Sequence, residues 1–240
     1  MRIHEVEDVS MKSKMIKKDL SNFSYNQKAL EKMFPLNDKG EQAREPRKNL
    51  KLLGTGVTAY AVAKKDKPHE VKRLTFYSSG PNTDPYLQFL KQVIAHQSNP
   101  YFPRIYTVKL FTTQDARHMY YIEMEKLFPF ERLNWAQWSS IFRKSFGKSI
   151  REVEKNDKIV DKFDVANVFV TILQRYLRGE KDRIPPIMDE HFRQALDILE
   201  DVYLKFSRGG NRVSFDLHEW NVMYRLTSYG AQPVITDPFV

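Results

Sequence analysis

The hydrophobic period of this chain changes once near its middle, and that change limits what it can fold into. From Leu50 to Leu127, apolar residues alternate with polar ones in short runs bounded by turn-forming residues, the pattern of half-buried strands. From Asn134 to Ser207 they recur at three- and four-residue spacing, the pattern of amphipathic helices. Gly209-Gly210 closes the helical region, and short extended segments follow. Strands gathered first and helices second predict an α+β chain. The expected architecture is bilobal: a five-stranded antiparallel sheet lobe, a reduced helical lobe, and a cleft between them.

Finer expectations follow from turns and caps. LKLLGTG ends a strand in a glycine turn, and AYAVAKK and EVKRLTFY are strands split by Asp66-Lys67-Pro68. A helix is predicted over 86–94, with Asp84 as N-cap and Pro85 in its first turn. Strands are predicted over 104–111 and 118–125, and helices over 134–146, 160–177 and 189–206. Residues 1–48 are polar and lysine-rich and read as a basic extension, with a weakly amphipathic stretch at Tyr25–Phe34 and a linker at Asn37–Lys48. The expected division is 1–48, 49–127 for the sheet lobe, and 128–240 for the helical lobe.

Composition removes several classes. Hydrophobic residues make up 41%, with 16 Phe and 12 Tyr, enough for a packed core and too many for wholesale disorder. No apolar run reaches the ~18 residues of a membrane span, and the N-terminus lacks a signal-peptide core. There is no cysteine, so disulfides and thiolate metal sites are excluded. A cytoplasmic protein without a membrane partner is expected. The net charge of +9 suits an anionic partner, but the lysines are dispersed and no nucleic-acid motif accompanies them. The six histidines show no metal-binding spacing. Glu123 and Glu125 are placed on opposite strand faces and are not read as a hydrolytic pair.

The chemistry concentrates near the C-terminus. SFDLHEWNVM (214–223) sets Asp216 and Asn221 five residues apart, and VITDP (234–238) brings Asp237 sixteen residues after Asn221, behind an apolar strand. Phosphoryl transfer needs a carboxylate beside the attacking hydroxyl and oxygen ligands for Mg²⁺. Because Mg²⁺ keeps water and phosphate ligands, a sparse Asp/Asn set suffices.

D-x-x-x-x-N followed by a strand ending in Asp resembles the catalytic and metal-binding loops of the protein-kinase superfamily. AspLeuHisGluTrpAsn is similar to the D-L-H-x-x-N form of aminoglycoside-phosphotransferase-like kinases. The whole run FDLHEWNVM…VITDP resembles the bacteriophage-encoded serine/threonine protein kinases. Motif order is kept over 50–240, and the match is tight over some forty residues. The resemblance implies that Asp216 is the catalytic base and that Asn221 and Asp237 hold Mg²⁺. His218 sits where protein kinases place a lysine against the γ-phosphate. Gly54 and Gly56, in LLGTGVTAY (52–60), would cover the phosphates of ATP, with Ala59 in the third glycine position. Lys72 would pair the α- and β-phosphates, with Arg73, Lys65 and Lys64 as alternatives if the register differs. HQSNPYFPRIY (96–106) resembles the join between the first-lobe helix and the next strand, and YIEMEKL (121–127) a hinge. Met124 would then be the gatekeeper, while Glu125 and Leu127 would offer backbone groups to adenine.

The departures are specific. The helix 84–94 carries no glutamate to hold the strand lysine, which leaves Gln88 or Gln92 for that task. Glu70 stands where a small apolar residue usually covers the adenine, Phe215 and Ser214 precede Asp216, and the metal motif reads Asp237-Pro238-Phe239. An activation segment and later helices are not expected, so residues 134–206 or the basic extension would supply substrate contacts. The implied activity is ATP- and Mg²⁺-dependent transfer to protein Ser/Thr hydroxyls, by a phage-encoded kinase acting on host proteins in the host cytoplasm. The alternatives are a pseudokinase interaction module and a small-molecule kinase of the aminoglycoside type.

Overall fold

A computed structural model describes residues 50–55, 59–77, 84–112, 118–154, 162–208, 213–218 and 220–239. The basic extension, Gly56, the linker and the Gly209-Gly210 stop lie outside these residues. The chain is α+β, and the described residues form two compact units, one drawn from 50–84 and 104–126, the other from 85–103 and 127–239.

The first unit is an antiparallel sheet. Its strands are β1 (Leu50–Thr55), β2 (Ala59–Lys64), β3 (Lys67–Tyr77), β4 (Ile105–Thr112) and β5 (His118–Glu125), in the order β1-β2-β3-β5-β4. β5 therefore lies between β3 and β4, and the long β3 is flanked by β2 and β5. Val62 faces Lys72 across β2–β3, and Lys72 faces Glu123 across β3–β5. Direct partners share a face, so Val62, Lys72, Leu74, Tyr121 and Glu123 point one way. Val71, Ala63, Ile122 and Met124 point the other way and are buried. Glu123 and Glu125 are two apart and share a face, contrary to the expectation from sequence, because side chains repeat every second residue in a strand.

The second unit is mainly helical: α1 (Pro85–Ala95), α2 (Trp135–Phe146), the short α3 (Ile150–Glu154), α4 (Lys162–Leu177) and α5 (Glu190–Arg208). A small antiparallel sheet, β6 (Phe128–Pro129), β7 (Val222–Thr227) and β8 (Gly230–Ile235), completes it. α2 begins at a reciprocal cap in which the Asn134 side chain accepts from Gln137 N and Gln137 accepts from Asn134 N, each at 2.9 Å. It ends at Gly147, whose φ of 65° suits a residue without Cβ. The core is aromatic. Phe130, Trp138, Phe142, Phe146, Phe169 and Phe192 are fully buried, with Phe169 stacked on Phe192 at 5.6 Å and edge-on to Phe130 at 5.8 Å.

The sequence divides the chain near residue 128, with the helix over 86–94 in the sheet lobe. The structure instead packs α1 against α5 in the second unit. Phe89 on α1 meets Phe102 at 5.9 Å and Phe239 at 6.3 Å. The loop after α1 is pinned to the same unit. Asn99 Nδ2 donates to His191 O (2.8 Å), the Arg225 guanidinium to Pro100 O (3.2 Å) and Phe102 O (2.8 Å), and Ile235 N to Tyr101 O (2.9 Å). Loop carbonyls away from water need such donors.

Candidate active site

The β7–β8 hairpin closes the sequence gap between the two C-terminal motifs. Val222 pairs with Ile235 at its open end, so Asn221, just before β7, lies beside Thr236 and Asp237, just after β8. The Asn221 carbonyl accepts from Thr236 N and Thr236 Oγ1, both at 2.9 Å, and from Asp237 N at 3.4 Å. Its side-chain Nδ2 donates to Asp216 O at 2.6 Å and to Asp216 Oδ2 at 2.9 Å. One asparagine thus ties together Asp216, Thr236 and Asp237.

The loop is braced from below. Asp216 N donates to Pro238 O at 2.9 Å, and Phe215 and Phe239 form an isolated antiparallel bridge. Tyr203 of α5 stacks on Phe215 at 4.2 Å, and Gln174 of α4 donates to Leu217 O at 2.7 Å. Tyr203 and Gln174 hold the loop but carry no sequence signal of their own, since each is an ordinary helix residue until the fold brings it to the Asp216 loop, whereas Phe215 and Phe239 stand inside the motifs as departures from the kinase pattern.

His218 Nδ1 accepts from Trp220 N at 3.2 Å. Nε2 stands 3.6 Å from Asp216 Oδ1. Asn221 Nδ2 also lies within hydrogen-bonding distance of His218 Nε2, at 3.0 Å. His218 and Asp216 are partly exposed, and Trp220 between them and Asn221 is 53% exposed, an open aromatic beside the polar cluster. In the sequence Trp220 is only a spacer of D-x-x-x-x-N and carries no signal of its own.

Among the described residues, no three His, Cys, Asp or Glu side chains gather as metal ligands. The fit to Mg²⁺ rests on a sparser donor set. With Nδ2 turned to Asp216, the amide oxygen of Asn221 is the atom of that side chain suited to a cation, and Asp237 is tied to the same residue through its N–H, at 3.4 Å from the Asn221 carbonyl. Oxygen donors of this kind suit Mg²⁺, which takes one or two protein groups and fills its other positions with water and phosphate.

Of the residues assigned to the nucleotide, Gly54, Lys72, Met124 and Glu125 are in the first unit. Lys72 is 5% exposed; its Nζ pairs with the Glu123 carboxylate and donates to Tyr121 Oη at 2.6 Å. Tyr121 Oη in turn donates to Glu123 Oε1 at 2.5 Å. Burial pushes the Glu123 carboxyl up, but hydrogen bonds from Lys72 and Tyr121 outweigh it and hold the group below the usual glutamate value. Glu70 is paired with Lys67 at 3.2 Å, and Glu125 Oε1 accepts from Arg104 N at 2.8 Å.

Two expectations need correction. Met124 faces away from Lys72, because it pairs with Val71 while Lys72 pairs with Glu123. A ligand against the Lys72 face meets Tyr121 and Glu123, not Met124. Gln88 and Gln92, the expected substitutes for a helix glutamate, line a groove with Ile198, Asp201, Val202 and Lys205 of α5. Gly54 pairs with Ala61 in the β1–β2 ladder, next to a register shift, and Gly56 lies outside the described residues. Glu125 N donates to Arg104 O at 3.0 Å, which removes one backbone group from an adenine contact, while Leu127 is buried and opens the second unit.

No protein-family model matches the chain, and no curated protein sequence matches it. No described helix is long and apolar enough to cross a membrane.

Proposed function

We propose that this chain is an ATP- and Mg²⁺-dependent phosphotransferase of protein-kinase-like, bilobal fold, acting on serine and threonine hydroxyls of proteins. Phage origin and host-protein substrates belong to the same reading and rest on the resemblance of FDLHEWNVM…VITDP. The observation that carries the proposal is the double anchoring of Asn221, by side chain to Asp216 and by backbone to Thr236 and Asp237. A structural turn would need one of these ties; a base and a cation site need both motifs held side by side.

In this reading Asp216 Oδ2 is committed to Asn221, which leaves Oδ1 to accept the substrate hydroxyl. Oδ1 takes the hydroxyl proton as the new O–P bond forms and the bond from the γ-phosphorus to the bridging oxygen breaks, with ADP leaving. His218, whose Nε2 stands 3.6 Å from Oδ1, would steady that carboxylate and contact the transferred phosphoryl group. The Asn221 amide oxygen and the Asp237 carboxylate would hold Mg²⁺, whose chemistry is to neutralise charge on the phosphates. Lys72 would hold the α- and β-phosphates. Positioning and electrostatics account for most of the rate.

The test is incubation with labelled ATP, Mg²⁺ and lysate proteins beside an Asp216→Ala variant. Protein labelling that disappears in the variant is expected; labelling that is absent, or indifferent to Asp216, overturns the proposal. Labelling of a small aminoalcohol instead would favour a small-molecule kinase. The opposite facing of Lys72 and Met124 favours one second reading, an interaction module of the pseudokinase type, for which ATP binding without turnover is the signature.

A further inference from the structure

Lys72 is a cation with almost no access to water, and such a group keeps its charge only beside a counter-charge. Its counter-charge comes from the neighbouring strand: Lys72 and Glu123 are direct partners in the β3–β5 ladder, fifty-one residues apart in sequence. We infer that Glu123 is the positioning residue for Lys72, doing from a strand what a helix-borne glutamate does in the kinases this chain resembles. This inference rests on the phosphotransferase reading.

The geometry is closed on three sides. Lys72 pairs with Glu123, Lys72 donates to Tyr121 Oη, and Tyr121 Oη donates to Glu123 Oε1. An ammonium has three protons. Two are taken by Glu123 and Tyr121, and the third is left for a phosphate oxygen. The other acids of this face have partners of their own, Glu70 with Lys67 and Glu125 with Arg104 N, so Glu123 is the one turned to the lysine. Gln88 and Gln92 are not needed for this task, which agrees with their place in the groove against α5.

A consequence follows for control. A glutamate on a helix can be withdrawn when the helix shifts, and kinases use that motion as a switch. A glutamate carried on a paired strand keeps its backbone position opposite the lysine for as long as the ladder holds. Bringing Glu123 to Lys72 therefore requires no helix movement.

The experiment uses the full chain and its Glu123→Gln, Glu123→Asp, Lys72→Met and Asp216→Ala variants. Calorimetry with MgATP gives affinity, steady-state labelling gives kcat and KM for ATP, and thermal melting reports folding. Glu123→Gln is expected to weaken MgATP about tenfold and to raise KM for ATP more than it lowers kcat. Glu123→Asp should recover part of that loss, and adding Glu123→Gln to Lys72→Met should cost little more than Lys72→Met alone. Unchanged MgATP affinity in Glu123→Gln, with binding lost in Lys72→Met, overturns the inference and leaves the phosphotransferase reading standing. A lowered melting temperature with unchanged affinity overturns it too, since a merely structural pair would behave so. A wild-type chain that neither binds MgATP nor shows Asp216-dependent labelling sinks the phosphotransferase reading itself. If Glu123→Gln does not fold, Tyr121→Phe carries the test: about threefold weaker MgATP binding is expected, and unchanged binding counts against the inference.

Discussion

The side-chain amide of Asn221 donates to both the backbone carbonyl and the carboxylate of Asp216, at 2.6 and 2.9 Å. That pair of bonds commits Oδ2 of Asp216 to Asn221, leaves Oδ1 on the side of His218, and orients the amide oxygen of Asn221 away from Asp216.

Asn221→Ala should therefore damage turnover more than folding. Labelling under single-turnover conditions is expected to fall roughly a hundredfold or more, the scale of removing one preorganised polar group from an active site. The melting temperature should shift only slightly, because the β7–β8 ladder and the backbone bonds to the Asn221 carbonyl remain. A variant that labels at the wild-type rate would show that the tie to Asp216 is structural only.

The Lys72–Glu123 pair makes stability depend on pH with a definite sign. The Glu123 carboxyl is held below its ordinary value in the folded chain. Its contribution is therefore complete above the unfolded carboxyl's pKa, about 4.3, and is lost as pH falls through the folded value. The difference in urea midpoint between wild type and Glu123→Gln should be widest near neutral pH and should narrow in acid. A difference that grew on acidification would contradict the pairing.

Phe169 sits at the centre of the aromatic core, against Phe130, Phe142, Phe146 and Phe192. Phe169→Ala should cost about 3–5 kcal/mol, the range for deleting a buried aromatic side chain. Chemical denaturation followed by far-UV circular dichroism measures it. A loss below about 1 kcal/mol would mean that the core is not packed as described.

Gly147 ends α2 with φ of 65°, donates its N–H to Arg143 O at 2.9 Å, and would bring a Cβ to 3.1 Å from Met188 Cγ. Gly147→Ala should destabilise by about 1 kcal/mol, since a Cβ disfavours this backbone region and Met188 must give way. Thermal melting resolves the change; a neutral or stabilising result would contradict the left-handed cap.

The sequence by itself determined the elements and the chemical cluster. The change of hydrophobic period separated strands from helices, the apolar spacing over 134–146 located α2, and the spacing of Asp216, Asn221 and Asp237 marked the candidate site, because all of these are local signals carried by neighbouring residues. Tertiary structure alone decided three things. It packed α1 with the helical unit through Phe89, Phe102 and Phe239, since an amphipathic face does not say which neighbour will cover it. It gave Lys72 its partner in Glu123, since strand pairing between distant segments leaves no trace in local spacing. It turned Met124 away from Lys72, since a one-residue difference in ladder position moves a side chain to the opposite face of a sheet.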